Sequence, residues 1–292
     1  MNLAVIKVIL LTSVALLAFA GNSVLCRLAL GDGAIDAGSF TIIRLLSGIV
    51  ALLAIISLSN GKRSSTSKGS WFAASMLFLY AVAFSYAYVS LDTGTGALIL
   101  FGAVQITMIF VSLLRGHRLH YSEWAGMLVA FAGFVYLVLP GVNTPSITGF
   151  LLMTIAGVAW GGYTLKGRGS KSPLGDTAYN FLRTLPFVLV LLVVVIQNVD
   201  LSLAGILLAV ASGAIASGAG YTVWYIALRD LSATQAAVVQ LLVPVIAAVG
   251  GVMFAHEVVS LRLILSSILV LGGIMMVVLG RYYLARSVSN KV

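Results

Sequence analysis

Apolar residues run along this chain in ten long blocks, at about 5–26, 38–58, 70–90, 94–114, 122–140, 147–166, 177–197, 205–226, 233–254 and 261–280. Each block holds about 19–22 residues, the length a helix needs to cross the hydrocarbon core of a bilayer. Strands of a membrane barrel would instead show about 10 residues of alternating polarity. The pattern predicts an all-α integral membrane protein with ten transmembrane helices. The gaps carry turn and breaker residues, as at Gly31-Asp32-Gly33, Ser59-Asn60-Gly61 and Pro140-Gly141. The first block also imitates a secretory signal, with Lys7, an apolar run and Ala18-Phe19-Ala20 standing before Gly21. The apolar run continues past that point, so the block is expected to stay as the first span.

Composition agrees. Of 292 residues, 61% are hydrophobic and 9% charged, with a mean hydropathy of +1.11. A soluble protein of this size lacks the interior volume to hide so much apolar surface. That excludes a soluble enzyme, a secreted domain and a disordered chain. The net charge of +9 would suggest nucleic acid in a soluble protein, but the basic residues are unevenly placed. Counting loops alternately, Lys7, Lys62, Arg63, Lys68, Arg115, Arg118, Lys166, Arg168, Lys171, Arg229, Arg281, Arg286 and Lys291 share the side of both termini; only Arg27 and Arg262 lie opposite, and Arg44 and Arg183 lie inside blocks. Basic loops stay cytoplasmic, so both termini are predicted inside, and no nucleic-acid partner is expected. Trp71, Tyr121, Trp124, Tyr282 and Tyr283 fall at the same ends and read as interfacial anchors. A single cysteine, Cys26, excludes a disulfide framework, and no Cys/His cluster has metal-ligand spacing.

A shift of 139 residues lays one half of the chain on the other. Arg44 meets Arg183, Thr95-Gly96-Ala97-Leu98-Ile99 meets Thr234-Gln235-Ala236-Ala237-Val238, His117 meets His256 and Gly133 meets Gly272. With one residue added, Gly21-Asn22 falls on Gly161-Gly162. The division is into residues 1–141 and 142–292, five helices each. Five is odd, so the second unit must enter the membrane upside down. Inverted repeats of this kind are a recurrent design of secondary transporters, whose halves exchange conformations around a central site. A duplication kept only for packing is the plainer alternative.

The phrases Ala227-Leu228, Ser232-Ala233-Thr234-Gln235-Ala236-Ala237, Pro244 and His256-Glu257, set in a duplicated five-helix unit, resemble the EamA-type transporters of the drug/metabolite transporter superfamily. The resemblance covers essentially the whole chain. In the first half Gln105 stands where the second has Pro244, and Arg118 where it has Glu257. The sequence is most similar to the bacterial aromatic amino acid exporters of that group. This similarity implies export of phenylalanine, tyrosine, tryptophan and smaller analogues across the inner membrane.

Several residues could meet such a substrate. Tyr80, Phe84 and Tyr88 recur on one face of the third block, and Phe101 and Gln105 on one of the fourth. Trp160 and Tyr163 share a face of the sixth block, and Tyr221, Trp224 and Tyr225 one of the eighth. Ligand pockets are usually apolar and aromatic with a few placed polar groups, and Asn22, Gln105 and Gln240 could hydrogen-bond a zwitterion. Helix packing and interhelical hydrogen bonds account equally for each residue alone. Arg44 and Arg183 sit about six residues in from opposite faces, shallow enough to snorkel; symmetric structural duty is the first reading and contact with a carboxylate the second. No Asp or Glu lies deep in any block, and no Lys does. A buried carboxylate relay is therefore not expected, and neither is a phosphorylated substrate. The superfamily's multidrug members carry a Glu in their first helix, which this one lacks. His117, His120 and His256 lie at helix ends without a paired nucleophile or carboxylate dyad. No phosphate-binding loop is present either. No enzyme activity and no cofactor are expected. The sequence therefore points to a secondary exporter of aromatic and related neutral amino acids working by alternating access. Another neutral metabolite or drug as substrate, or a membrane-embedded scaffold or enzyme, are the alternatives; the sequence leaves coupling ion and oligomeric state open.

Overall fold

The computed structural model describes residues 3–58, 68–114, 116, 120–141, 144–231 and 233–289. The turn read at Ser59-Asn60-Gly61, the basic residues Lys62, Arg63, Arg115, Arg118 and Lys291, and His117 and Ser232 lie outside the described residues. So do the side chains of Tyr282 and Tyr283, read above as anchors.

Ten of the described helices are long and apolar enough to cross a membrane. Spans one to six are α1 (Leu3–Leu30), α2 (Ala37–Leu58), α3 (Trp71–Tyr88), α4 (Thr93–Leu114), α5 (Tyr121–Val138) and α6 (Ile147–Gly167). Span seven is α7 (Pro173–Leu182) followed by α8 (Leu185–Val195). Span eight is α9 (Leu203–Val210), a π-helical stretch (Ala211–Ala219) and α10 (Gly220–Ala227). Span nine is α11 (Ala233–Gln240) with α12 (Val243–Phe254), and span ten is α13 (Leu261–Ser289). The expected boundaries hold to within about four residues, except that α13 continues past 280 to Ser289. α1 runs unbroken through Ala18-Phe19-Ala20.

Local chemistry explains the ends and the breaks. Ser70, Ser146 and Ser202 accept the N–H of Ala73, Gly149 and Gly205, each at 3.0 Å, capping α3, α6 and α9. Pro186 and Pro244 stand at the second positions of α8 and α12. A proline has no N–H and crowds the carbonyl four residues back, so spans seven and nine each restart after a two-residue break. In span eight the run Ser212-Gly213-Ala214-Ile215-Ala216-Ser217-Gly218-Ala219 widens to a π-helix, and the Gly220 N–H reaches back to the Ile215 carbonyl.

Ten crossings bring both chain ends to one side, called here the termini side. The principal packing pairs are span three on six, four on six, one on eight, one on nine, four on nine, five on ten, and two on both seven and eight. Buried rings and small residues fill the interior, while Leu17, Val50, Leu128 and Val193 point outward, 59–74% exposed, as lipid-facing side chains do.

Candidate functional site

Midway through the bundle the polar residues that the sequence scatters over four spans join into one network. Its hub is the Tyr80 hydroxyl on α3. It accepts from Asn22 Nδ2 of α1 at 3.2 Å, from Arg44 Nη2 of α2 at 3.1 Å and from the Tyr221 hydroxyl of α10 at 3.3 Å. Asn22 Oδ1 in turn accepts the Ser212 hydroxyl at 2.6 Å. Arg44 also donates through Nη2 to Tyr221 at 3.2 Å and through Nε to Ser217 at 3.3 Å. Both serines belong to the π-helix, five residues apart, the spacing of its i→i+5 hydrogen bonds, which brings them near one face. An ordinary α-helix would turn them to different directions.

Arg44 does not snorkel, as the sequence reading allowed. It is 1% exposed, and its guanidinium carbon lies 5.1 Å from the Tyr80 ring centroid and 5.0 Å from that of Phe84. The reason is the approach of span eight. A Cβ on Gly213 would stand 2.0 Å from the Arg44 carbonyl oxygen and 2.1 Å from Ser47 Oγ, so only glycine lets the π-helix lie on the α2 backbone and cover the arginine. An Arg at the centre of a lipid-facing helix costs about 2.5–3.5 kcal/mol on insertion scales, and hydrogen bonds to a charged group return about 1.5–3 kcal/mol each. Nη1 of Arg44 and Nε1 of Trp224 make no hydrogen bond among the described residues. Arg183, its sequence counterpart, is only partly buried at the end of α7; it donates to the Lys68 carbonyl and stacks 5.4 Å over Trp71.

Aromatic rings surround the network. Trp160 of α6 lies 4.9 Å from the ring of Tyr80, 4.6 Å from Tyr221 and 5.3 Å from Tyr163, the last nearly parallel at 27°. Phe19 packs on Phe101, Trp160, Tyr221 and Trp224 at 5.6–6.2 Å. Between the rings remains a cavity of about 10 Å³, lined by Phe19, Asn22, Tyr80, Phe84, Leu100, Phe101, Trp160 and Tyr221; it is room for about one water. Of the sequence candidates, Asn22, Tyr80, Phe84, Phe101, Trp160 and Tyr221 therefore meet at one point, with Tyr163 and Trp224 just behind them. Tyr88 stands apart: it touches Phe84 at 4.8 Å, but its hydroxyl goes to the Thr93 carbonyl at 3.3 Å. Gln105 and Gln240 pair with each other across α4 and α11 at 3.4 Å, a long bond outside the cavity lining. Phe19, Ser212, Ser217 and Arg44 are the members that sequence reasoning did not select as site residues.

Both approaches to this centre are bridged. On the far side Glu257 accepts the Thr93 N–H, at 2.9 Å and 3.0 Å through its two oxygens, the Thr93 hydroxyl at 3.0 Å and Arg27 Nε at 3.1 Å. Asp36 accepts the Ser39 N–H at 2.8 Å and the Asp200 N–H at 3.1 Å. Burial pushes the Asp36 carboxyl upward, but hydrogen bonds from Ser39 and from the Asp200 and Gly38 N–H groups outweigh it and hold it below the usual value. The stability it adds is present above the ordinary carboxylate range and is lost as pH falls through the lowered value. On the termini side Asp176 accepts the Gly69 N–H at 3.3 Å and Asn180 the Ser70 N–H at 2.9 Å. Gly69 is fixed there by φ +63 and by Asn180 Oδ1, which a Cβ would meet at 2.3 Å.

Glu257→Ala is expected to lower stability by about 1–3 kcal/mol, since it strips the partly buried Arg27 and the first N–H of α4 of their acceptor. Melting of the purified protein measures this; an unchanged melting temperature would mean that these four contacts add nothing net.

A ten-span helical bundle with a polar centre, ringed by aromatic side chains and bridged on both sides, is the architecture of a membrane transporter. Residues 147–279 match the EamA-like transporter family, and the chain belongs to that family, within the drug/metabolite transporter superfamily. It is 50% identical over 275 residues to an uncharacterized protein of Pseudomonas aeruginosa, covering 94% of this chain and 96% of that one. It is 27% identical over 287 residues to an uncharacterized transporter of Archaeoglobus fulgidus, covering 92% and 96%. A solved crystal structure superposes with a TM-score of 0.63 at 19% identity, covering 93% of this chain and 97% of that one, which shows the shared fold.

Proposed function

We propose that this transporter exports aromatic and related neutral amino acids across the bacterial inner membrane by alternating access, with both termini cytoplasmic. The observation that carries the substrate class is the small cavity between Phe19, Phe84, Phe101 and Trp160, whose one polar edge is formed by Asn22, Tyr80 and Tyr221. The cavity now has room for about one water, so a ring would enter only as the spans part; it would then stack against the lining rings, with the polar edge facing its backbone groups.

Alternating access between two inverted units, 1–141 and 142–292, is supported by the packing. Exchanging spans one to five with six to ten turns the contact of three on six into eight on one, and that of four on six into nine on one; all four contacts are present. The bridges follow the same rule. Asp36 holds the backbone of the loop between spans seven and eight, and Asp176, 140 residues on, holds that between spans two and three. One latch closes each side, so releasing them in turn would open each side in turn. Orientation rests on the distribution of basic residues, and a phosphatase fused to the C-terminus should be inactive.

Counterflow in proteoliposomes tests the substrate. Labelled phenylalanine should exchange, and among the twenty amino acids phenylalanine, tyrosine and tryptophan should compete best. Competition only by charged or non-amino-acid metabolites would overturn the substrate class, and the absence of exchange with any solute would favour a scaffold.

A further inference from the structure

We propose that Arg44 is an anion-binding residue in the buried interior of the bundle, and that the group it takes is a single carboxylate on the transported molecule. This rests on the transporter reading above and deepens it, because it assigns the charged contact that the substrate must make.

The guanidinium is 1% exposed, and all its hydrogen-bond partners are hydroxyls, those of Tyr80, Tyr221 and Ser217. Hydroxyls accept protons without carrying charge. The positive charge is therefore solvated by dipoles and by the faces of Tyr80 and Phe84, and no carboxylate is among its partners in the described residues. Arg27, by contrast, is paired with Asp92 and Glu257 at the far side. Charged side chains inside membranes are retained where they are paired or where they work on a substrate. Nη1 meanwhile is buried without a hydrogen-bond partner among the described residues, so one arm of a fork built for bidentate contact is left unpaired.

The cavity shares Tyr80, Phe84 and Tyr221 with the guanidinium. A planar carboxylate matches the fork, and the rings take an apolar body. A phosphate dianion would ask for further cationic donors, and Arg44 is the one cation in contact with the cavity lining among the described residues. The position also couples binding to movement. Nη2 already serves both Tyr80 of α3 and Tyr221 of α10. A carboxylate that draws the guanidinium to itself weakens both contacts, and these join a span of the first half to a span of the second.

The test pairs acids with alcohols of the same body. Phenylalanine and phenylalaninol, 3-phenylpropionate and 3-phenylpropanol, and leucine and leucinol are compared as competitors in counterflow and as stabilisers in melting of the full-length protein. In the wild type each effective acid should act at about tenfold lower concentration than its alcohol, the least that a charge-assisted hydrogen bond supplies. In Arg44→Gln the members of each pair should fall within about twofold of one another. Arg44→Lys, which keeps the charge and loses the fork, should retain a reduced preference and decides the matter together with the wild-type panel if Arg44→Gln does not fold. Alcohols equal to acids in the wild type would overturn the proposal. So would an acid preference intact in Arg44→Gln, or stabilisation by inorganic phosphate in place of the carboxylates. If leucine is preferred to leucinol while no aromatic compound competes, the aromatic reading fails and the assignment of Arg44 stands.

Discussion

Trp160→Ala should abolish most phenylalanine exchange and also destabilise the protein, whereas Phe134→Ala should destabilise it and leave exchange intact. Both rings are buried, Trp160 at 3% and Phe134 at 8% exposure, and removing a buried aromatic ring costs about 3–5 kcal/mol. Stability alone therefore does not distinguish them. Their neighbours do. Phe134 of α5 packs on Phe150 at 6.1 Å, away from the polar centre. Trp160 touches Tyr80 and Tyr221, the two hydroxyl carriers, and walls the cavity between them. A stacked aromatic substrate would gain about 0.5–1.5 kcal/mol beyond its area burial from such a ring, so export should fall by up to about tenfold from that contact alone, and further as Tyr80 and Tyr221 lose their support. Trp160→Phe should restore most of the stability and part of the exchange. Melting temperature and counterflow measured on the same preparations check this. If Trp160→Ala retains exchange per folded molecule, Trp160 is packing and leaves the site.

The spans were legible because hydrocarbon thickness fixes helix length. The aromatic faces were legible for the same local reason: Tyr80, Phe84 and Tyr88 do line up along α3, and Trp160 does stack on Tyr163. What the sequence did not show is where faces of different spans meet. Arg44 and Arg183 occupy equivalent positions in the repeat, and the symmetric reading gave them equal duty. Arg44 is instead sealed beneath the π-helix, while Arg183 reaches a loop carbonyl. No residue type announces a π-helix, so nothing in the sequence set Ser212 and Ser217 apart, although they are two members of the network. Phe19 was hidden differently, inside a run resembling a cleavage site, although it touches four of the rings around the cavity. Glycines that look alike in the sequence act differently. Gly273 is pressed on α5, where a Cβ would meet Gly126 O and Ala130 N at 2.5 Å, but nothing lies within 4 Å of a Cβ on Gly272.

That difference sets the second large expectation. Gly213→Ala should destabilise the transporter strongly, and Gly272→Ala should leave it unchanged or slightly more stable. Both sites are helical, and an alanine in open helix is favoured over glycine by about 0.8–1 kcal/mol. At Gly272 that gain meets no opposing contact. At Gly213 the new methyl would sit 2.0 Å from the Arg44 carbonyl oxygen and 2.7 Å from its carbonyl carbon. Those are backbone atoms and cannot rotate away, so span eight must move off α2 by about an ångström. Overpacking of this kind costs about 1–3 kcal/mol and sometimes more. The displacement also lengthens the 3.3 Å bond from Arg44 Nε to Ser217 and pulls on the 2.6 Å bond from Ser212 to Asn22. Exchange should therefore fall together with the melting temperature in Gly213→Ala and in neither respect in Gly272→Ala. A Gly213→Ala protein that melts and exchanges like the wild type would show that the π-helix does not rest on the α2 backbone, and the enclosure of Arg44 would have to be explained by other contacts.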